Sequence, residues 1–274
     1  MILRLFLPPI IVALYKKIIG NRNHRTFEGV YKNFDEVNDI TPYASKNTQK
    51  DIYKNLSNFI DEYQKNNLLP VAHIRSQITN LLPLLISSID KKQIFLLDFG
   101  GGAGETFVDC LNKTNIEKKI NYFVYDLDAT MKIGKEAFLD FDHKYFNISF
   151  IDNLTQLKSL DIVYFGSSLQ YFPDYKSTLL SVIAKVPKYL FLTDNFMGSH
   201  STYVTSQINM PGRKMAYWIF EFEEIVNLLN ENNYTLIYSS SNFQPFHNFD
   251  NFPLDKRVSD SLNLLFKYIK NNEK

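Results

Sequence analysis

Asp98, Gly100, Gly102 and Gly104 stand at alternate positions in the stretch 96–106, Leu-Leu-Asp-Phe-Gly-Gly-Gly-Ala-Gly-Glu-Thr. Glycine tolerates positive φ and leaves no Cβ between the backbone and a ligand. An apolar run, 94–97, precedes the glycines, and Phe107, Val108, Cys110 and Leu111 follow at helical spacing. The stretch predicts a buried strand, a tight turn and a helix N-terminus, whose free N–H groups suit a polar or anionic ligand. Spacing argues against two phosphate-binding signatures. Gly-x-Gly-x-x-Gly counted from Gly100 needs a third glycine where Glu105 stands, and counted from Gly101 needs glycines where Ala103 and Thr106 stand. A carboxylate at that place sits badly with a pyrophosphate. The phosphate loop Gly-x4-Gly-Lys-Ser/Thr is absent as well.

Further polar residues fall where apolar runs end. Asp126, 22 residues after Gly104, ends the run 120–125 and can accept hydrogen bonds from both hydroxyls of a ribose, with Asp128 as its near rival. Asp152 and Asn153 end the run 146–151; they reach an adenine amino group or simply make a turn. Met131 either packs on the adenine or belongs to the core. Ser167, Ser168, Gln170 and Tyr171 follow the run 161–166 and would border the reaction centre, although Gln170 and Tyr171 can equally begin a helix, and Leu169 and Phe172 read as core. Asp194 ends the run 189–193. The next 24 residues, 195–218, read as a long loop rich in hydroxyls, amides and aromatics. A loop of that length in a compact domain is often functional. Its composition suits a sugar-like or other polar acceptor, with Tyr217 and Trp218 presenting aromatic faces. His200 is the best-placed histidine for a general base, with Asp194 as the alternative.

The elements that must position these groups alternate. Strands expected at 94–97, 120–125, 146–151, 161–166, 189–193, 234–239 and about 262–268 are separated by helices expected at 107–111, 129–139, 175–185 and 221–232. This pattern predicts an α/β, doubly wound, mostly parallel seven-stranded sheet with ligands at the carboxyl ends of its strands. Upstream, residues 20–50 look irregular, with Asn33 placed to cap a short helix. Ile52, Tyr53, Leu56, Phe59, Ile60 and Tyr63 mark one helix and 71–88 a second, in which Pro83 kinks the chain or sits in the first turn of a later helix. The expected organisation is an apolar arm at 1–20, a helical cap or extension at 21–89 and a ligand-binding domain at 90–274.

The whole chain has 274 residues, 45% of them hydrophobic, which suffices for a full core. A formal net charge of +1 lends no support to nucleic-acid binding. One cysteine, Cys110, excludes an internal disulfide framework and fits a reducing, cytoplasmic setting. No Cys/His cluster has zinc-ligand spacing, so no metal is expected. In the arm, the apolar run 5–15 is shorter than the roughly 20 residues a bilayer span needs and is broken by Pro8 and Pro9. With Arg4, Lys16 and Lys17 flanking it, the arm either rests on a membrane surface, the inner face for a cytoplasmic protein, or packs as a core or dimer segment.

Asp98-x-Gly100-x-Gly102-x-Gly104, an acidic second strand end at Asp126 and Asp161-Ile-Val-Tyr-Phe, in that order, resemble the class I S-adenosylmethionine-dependent methyltransferase domain over about residues 90–270. S-adenosylmethionine carries a sulfonium and no phosphate, so an acidic turn is tolerable. Phe27-Glu-Gly-Val-Tyr, Leu97-Asp-Phe-Gly-Gly-Gly, Ser168-Leu-Gln-Tyr and Tyr217-Trp-Ile-Phe further resemble a poorly characterised bacterial methyltransferase family encoded among surface-polysaccharide genes. The resemblance implies S-adenosylmethionine as cofactor, a small-molecule or glycan acceptor, and a place in polysaccharide biosynthesis. The rival expectation is a non-catalytic scaffold that keeps the fold within a glycan-assembly complex.

Overall fold

The computed structural model describes residues 26–38, 46–66, 81–114, 117–210, 213–242 and 249–270. The apolar arm and the first part of the expected helix 71–88 lie outside the described residues. In chain order the elements are β1 Phe27–Tyr31, α1 Lys46–Asn66, α2 Leu81–Ser88, β2 Gln93–Phe99, α3 Glu105–Lys113, β3 Lys119–Tyr125, α4 Asp128–Ala137 and β4 Phe146–Phe150. There follow β5 Ile162–Gly166, α5 Tyr175–Ile183, β6 Tyr189–Gly198, β7 Tyr203–Met210, β8 Arg213–Glu221, α6 Phe222–Glu231, β9 Tyr234–Asn242 and β10 Ser261–Tyr268.

Seven strands form the doubly wound sheet, in the order β4-β3-β2-β5-β6-β10-β9. The first five of these are parallel, and β10 runs antiparallel to both β6 and β9. Central strands bury both faces, which is why β2 and β5 read as near-continuous apolar runs. On one face, Leu96, Ile120, Tyr122 and Tyr164 pack against Phe107 and Leu111 of α3 and Leu56 of α1. On the other, Leu97, Val163, Leu192 and Phe266 pack against Leu179 of α5 and Ile225 of α6. Helices on both faces of a parallel sheet make the expected α/β fold. The order reverses at β2, whose neighbours are β3 on one side and β5 on the other.

Two expectations are corrected. The stretch 195–218 is not a loop. It comprises the last four residues of β6, a short turn, all of β7 and most of β8. β7 and β8 are antiparallel, with Tyr203 opposite Ile219. β8 then joins β6 in parallel, Met197 opposite Phe220 and Gly198 opposite Glu221. The second correction lies upstream, where the segment read as irregular and helical contributes β1, which adds to β7 as an edge strand. The first error has a clear cause. Thr205, Ser206 and Gln207 are 0%, 2% and 7% exposed, so polar residues fill a buried strand and hide its period of two. Pro83 sits in the first turn of α2, and Asn33 Oδ1 accepts from the Glu36 N–H, capping a 3₁₀ turn.

Candidate active site

The glycine turn leaves the carboxyl end of β2, where the strand order reverses. Crevices for ligands form at that place in open α/β sheets. Gly100, Gly102 and Gly104 adopt φ of 74°, 63° and 96°. A Cβ on Gly100 would lie 2.5 Å from Ser168 Cβ, and one on Gly101 2.5 Å from Asp98 Cγ. The turn is thus pressed between the end of β5 and the buried Asp98 carboxylate, and side chains are excluded by contact as well as by conformation. Tyr122 Oη donates to Asp98 Oδ2 at 2.6 Å. Burial pushes the Tyr122 phenol well up, so it remains a donor. Asp98 is thus buried beneath the turn, with Oδ2 held by Tyr122.

The N–H groups of the turn are not free, which corrects the expectation of an anion site. Gly100 N–H donates to the Tyr125 carbonyl at 2.7 Å, and Gly104 N–H to the Gly101 carbonyl at 3.1 Å. Gly102 N–H donates to Asp126 Oδ2 at 2.8 Å, and Ala103 N–H to Glu105 Oε2 at 3.0 Å. Two carboxylates thus occupy donors that a phosphate would need. Asp126 also accepts from Leu127 N–H through Oδ1 at 2.6 Å and stays half-buried beside the turn. Gly134 on α4 closes the back of this arrangement, since a Cβ there would lie 2.5 Å from the Ala103 carbonyl oxygen. The sequence drew no attention to it, because a lone helical glycine looks like a weak point.

Asp152 and Asn153 are engaged elsewhere. Asp152 is exposed and paired with Lys135 Nζ at 3.0 Å, and Asn153 Oδ1 caps a 3₁₀ turn by accepting from Thr155 N–H at 2.8 Å. Met131 is 1% exposed and belongs to the core.

A second group of expected site residues lies after β5 and within β6. Ser167 N–H donates to the Thr193 carbonyl at 3.0 Å, and Ser168 Oγ to the Phe99 carbonyl at 2.6 Å. The 3₁₀ turn Leu169–Tyr171 packs beneath β8. Tyr171 Oη donates to Gln207 Oε1 at 2.7 Å, and Trp218 Nε1 to the Phe172 carbonyl at 3.0 Å. Asp194 Oδ1 accepts from Ser261 Oγ at 2.6 Å. Tyr217 is 2% exposed, stacks edge-on against Tyr171 and Phe27, and has its phenol pushed well up by burial. Tyr217 therefore braces the site from within the ribbon, and Trp218 is half-buried against Phe34 and Tyr175.

His200 is not brought to this place. Its ring lies over Gly198, and four extended residues, about 13 Å, separate Gly198 from Asp194. Its Nδ1–H donates to the Ser201 carbonyl at 3.1 Å. The expectation placed His200 beside the site because it read 195–200 as a loop free to fold back, whereas β6 carries it outward.

Among the described residues, no group of three or more His, Cys, Asp or Glu is placed to hold a metal ion, and no helix is long and apolar enough to cross a membrane.

Fold and site together define a doubly wound α/β protein with an acidic glycine turn at the carboxyl end of β2. No known protein-family profile matches the sequence, and no curated protein does. Solved structures similar to it include an S-adenosylmethionine-dependent methyltransferase from Methanosarcina mazei, 13% identical over 68% of this chain and 97% of that one, with a TM-score of 0.49. Magnesium protoporphyrin IX methyltransferase from Synechocystis, with S-adenosylmethionine bound, is 10% identical over 82% and 99%, with a TM-score of 0.49. The 1,6-didemethyltoxoflavin-N1-methyltransferase of Burkholderia thailandensis is 13% identical over 84% and 93%, with a TM-score of 0.47. With each of these scores below 0.5, function has to be read from the site itself.

Proposed function

We propose that the chain is an S-adenosylmethionine-dependent methyltransferase. The observation that carries this reading is the glycine turn, built from left-handed glycines with the Gly102 and Ala103 N–H groups held by Asp126 and Glu105. Such a turn suits a nucleoside cofactor that bears a positive charge and no phosphate. Asp126 stands where an acidic strand end can accept both ribose hydroxyls. Each of its oxygens keeps a second lone pair beside the backbone donor it already has. When bound, the cofactor supplies a methyl group on a sulfonium, already a good electrophile, so the chain mainly aligns the acceptor with it. Ser167 and the turn 168–171 border the acceptor, and Asp194 at the adjoining strand end takes its proton.

The acceptor in this reading is a small polar molecule, specifically a sugar or glycan precursor of bacterial surface polysaccharide. The amide- and hydroxyl-rich surroundings of Tyr171 and Gln207 support it, as do the four short motifs noted in the sequence. Residues 1–19, apolar between Arg4 and Lys16–Lys17, support contact with the inner face of the membrane. Flotation with anionic vesicles should then separate the full chain from a version starting at Asn21, and equal behaviour removes the membrane contact. The cofactor is tested by calorimetric titration with S-adenosylhomocysteine, NAD and buffer. Heat from S-adenosylhomocysteine alone is expected, and binding of NAD in its place overturns the reading.

A further inference from the structure

Two residues that are not glycine adopt left-handed backbone at adjacent strand ends, Ser167 with φ 56° after β5 and Asp194 with φ 57° in β6. Conformations of this kind are costly and are held only by surrounding structure. Here that structure is a pair of carboxamides. Asn195 Nδ2 donates at 2.9 Å to the Thr193 carbonyl, the same oxygen that receives Ser167 N–H at 3.0 Å. Gln170 Nε2 donates at 3.1 Å to Ser167 Oγ. Both side chains are fully buried, at 0% exposure. Each is fastened around Ser167 by its nitrogen end, and the opposite ends, Gln170 Oε1 and Asn195 Oδ1, have no hydrogen-bond partner among the described residues. The Asn195 orientation is dictated by the carbonyl it meets, because turning the amide over would set oxygen against oxygen. A buried acceptor without a donor is destabilising, and native proteins rarely keep one without use. Two around Ser167, one on the 3₁₀ turn after β5 and one within β6, ask for a ligand that brings hydrogens.

We propose that Gln170 and Asn195 recognise the methyl acceptor as a neutral primary amine; this rests on the methyltransferase reading and names its substrate class. An amine nitrogen has two N–H groups, one for Gln170 Oε1 and one for Asn195 Oδ1, and keeps its lone pair for the methyl carbon. A hydroxyl has one hydrogen and fills one of the two oxygens. An ammonium has no lone pair to react. In the transfer, the nitrogen–carbon bond forms as the carbon–sulfur bond breaks with its electrons left on sulfur. The surplus proton on nitrogen passes to Asp194 at the same strand end. Both oxygens are closed off in this conformation, so binding requires local rearrangement of the residues around them. On a polar acceptor, this chemistry points to an amino sugar.

The test uses the full chain with S-adenosylhomocysteine bound and, as probes, glucosamine and galactosamine, free and as their 1-phosphates, against glucose and galactose in the same forms. At mildly alkaline pH, calorimetry should show an amino sugar binding and its hydroxyl counterpart silent, and labelled S-adenosylmethionine should transfer methyl to the amine. Gln170→Met and Asn195→Leu should each weaken probe binding about tenfold or more. Their S-adenosylhomocysteine affinity should stay within about twofold, while their melting temperatures fall modestly, since each variant also loses the N–H that braces Ser167. Gln170→Met supplies the comparison where Asn195→Leu does not fold. Transfer to hydroxyl sugars, silence from every amine in the panel, or variants with full probe affinity overturn the amine assignment. Failure of the unsubstituted chain to bind S-adenosylhomocysteine overturns instead the methyltransferase reading beneath it.

Discussion

The Gly102 N–H group donates to Asp126 Oδ2 at 2.8 Å, tying the glycine turn after β2 to the end of β3. One carboxylate thus shapes the turn and waits for the ribose. A hydrogen bond to a charged group contributes roughly 1.5–3 kcal/mol, so Asp126→Ala should weaken S-adenosylhomocysteine binding by about ten- to a hundredfold. Calorimetry on the variant measures this, and unchanged affinity would remove Asp126 from the cofactor site.

Protonation should act on the same contact. Burial raises the Asp126 carboxyl above its ordinary value, partly offset by the Leu127 and Gly102 N–H groups. A folded pKa above the unfolded one means that this group contributes stability in full below the ordinary carboxylate range and loses it as pH rises through the raised value. Cofactor binding runs the other way, because the ionised form is the one that accepts hydrogen bonds from the ribose. Affinity should therefore fall on acidification, with a midpoint above that of an ordinary aspartate, and Asp126→Asn should flatten the profile. A profile identical in the variant would assign the acid loss to another group.

Gly134→Ala should harm both fold and site. A Cβ there would lie 2.3 Å from Phe150 Cζ and 2.5 Å from the Ala103 carbonyl oxygen, so α4 would be pushed off the glycine turn. Overpacking of this sort costs typically about 1–3 kcal/mol, the reverse of the roughly 1 kcal/mol gain that alanine brings at an open helical glycine. Denaturant unfolding should show the loss and calorimetry a weaker cofactor. A more stable variant would mean that the approach of the helix to the turn is not tight.

His143 fastens α1 to the sheet layer. Its Nδ1 accepts from the Tyr145 and Phe146 N–H groups, each at 3.1 Å, so the ring proton sits on Nε2, 3.3 Å from Tyr63 Oη on α1. Burial lowers the His143 pKa, against the raising pull of Asp142. The stability tied to its neutral form is complete above the ordinary histidine value, about 6.5, and is lost as pH falls through the lower folded value. Amide-exchange protection in α1 should drop on acidification below that range and lose this dependence in His143→Gln. Protection in α1 that ignores pH down to 5 would show that another contact holds the helix.

Apart from β7 and β8, the order of strands and helices from 93 to 268 could be read from the sequence because each of those elements announces itself locally. β2 and β5 are nearly continuous apolar runs since both of their faces are covered, α3 repeats its apolar residues at helical spacing, and glycines stand where the backbone must turn left-handed. Asp98, Gly100–Gly104 and Asp126 were legible for the same reason, being pinned to the ends of such runs. What the sequence could not show was any relation set by distant segments. β1 pairs with β7 across some 175 residues, and the buried polar residues of β7 look like a loop until β1 and β8 flank them. The turn's N–H groups looked free until Asp126 and Glu105 were seen to hold them. His200 lay six residues from Asp194 in sequence, and only the continuation of β6 to Gly198 set them apart. Asn195 passed as the first residue of a loop. Its burial, and the carbonyl oxygen it leaves without a donor, exist only once β5 and β6 lie side by side.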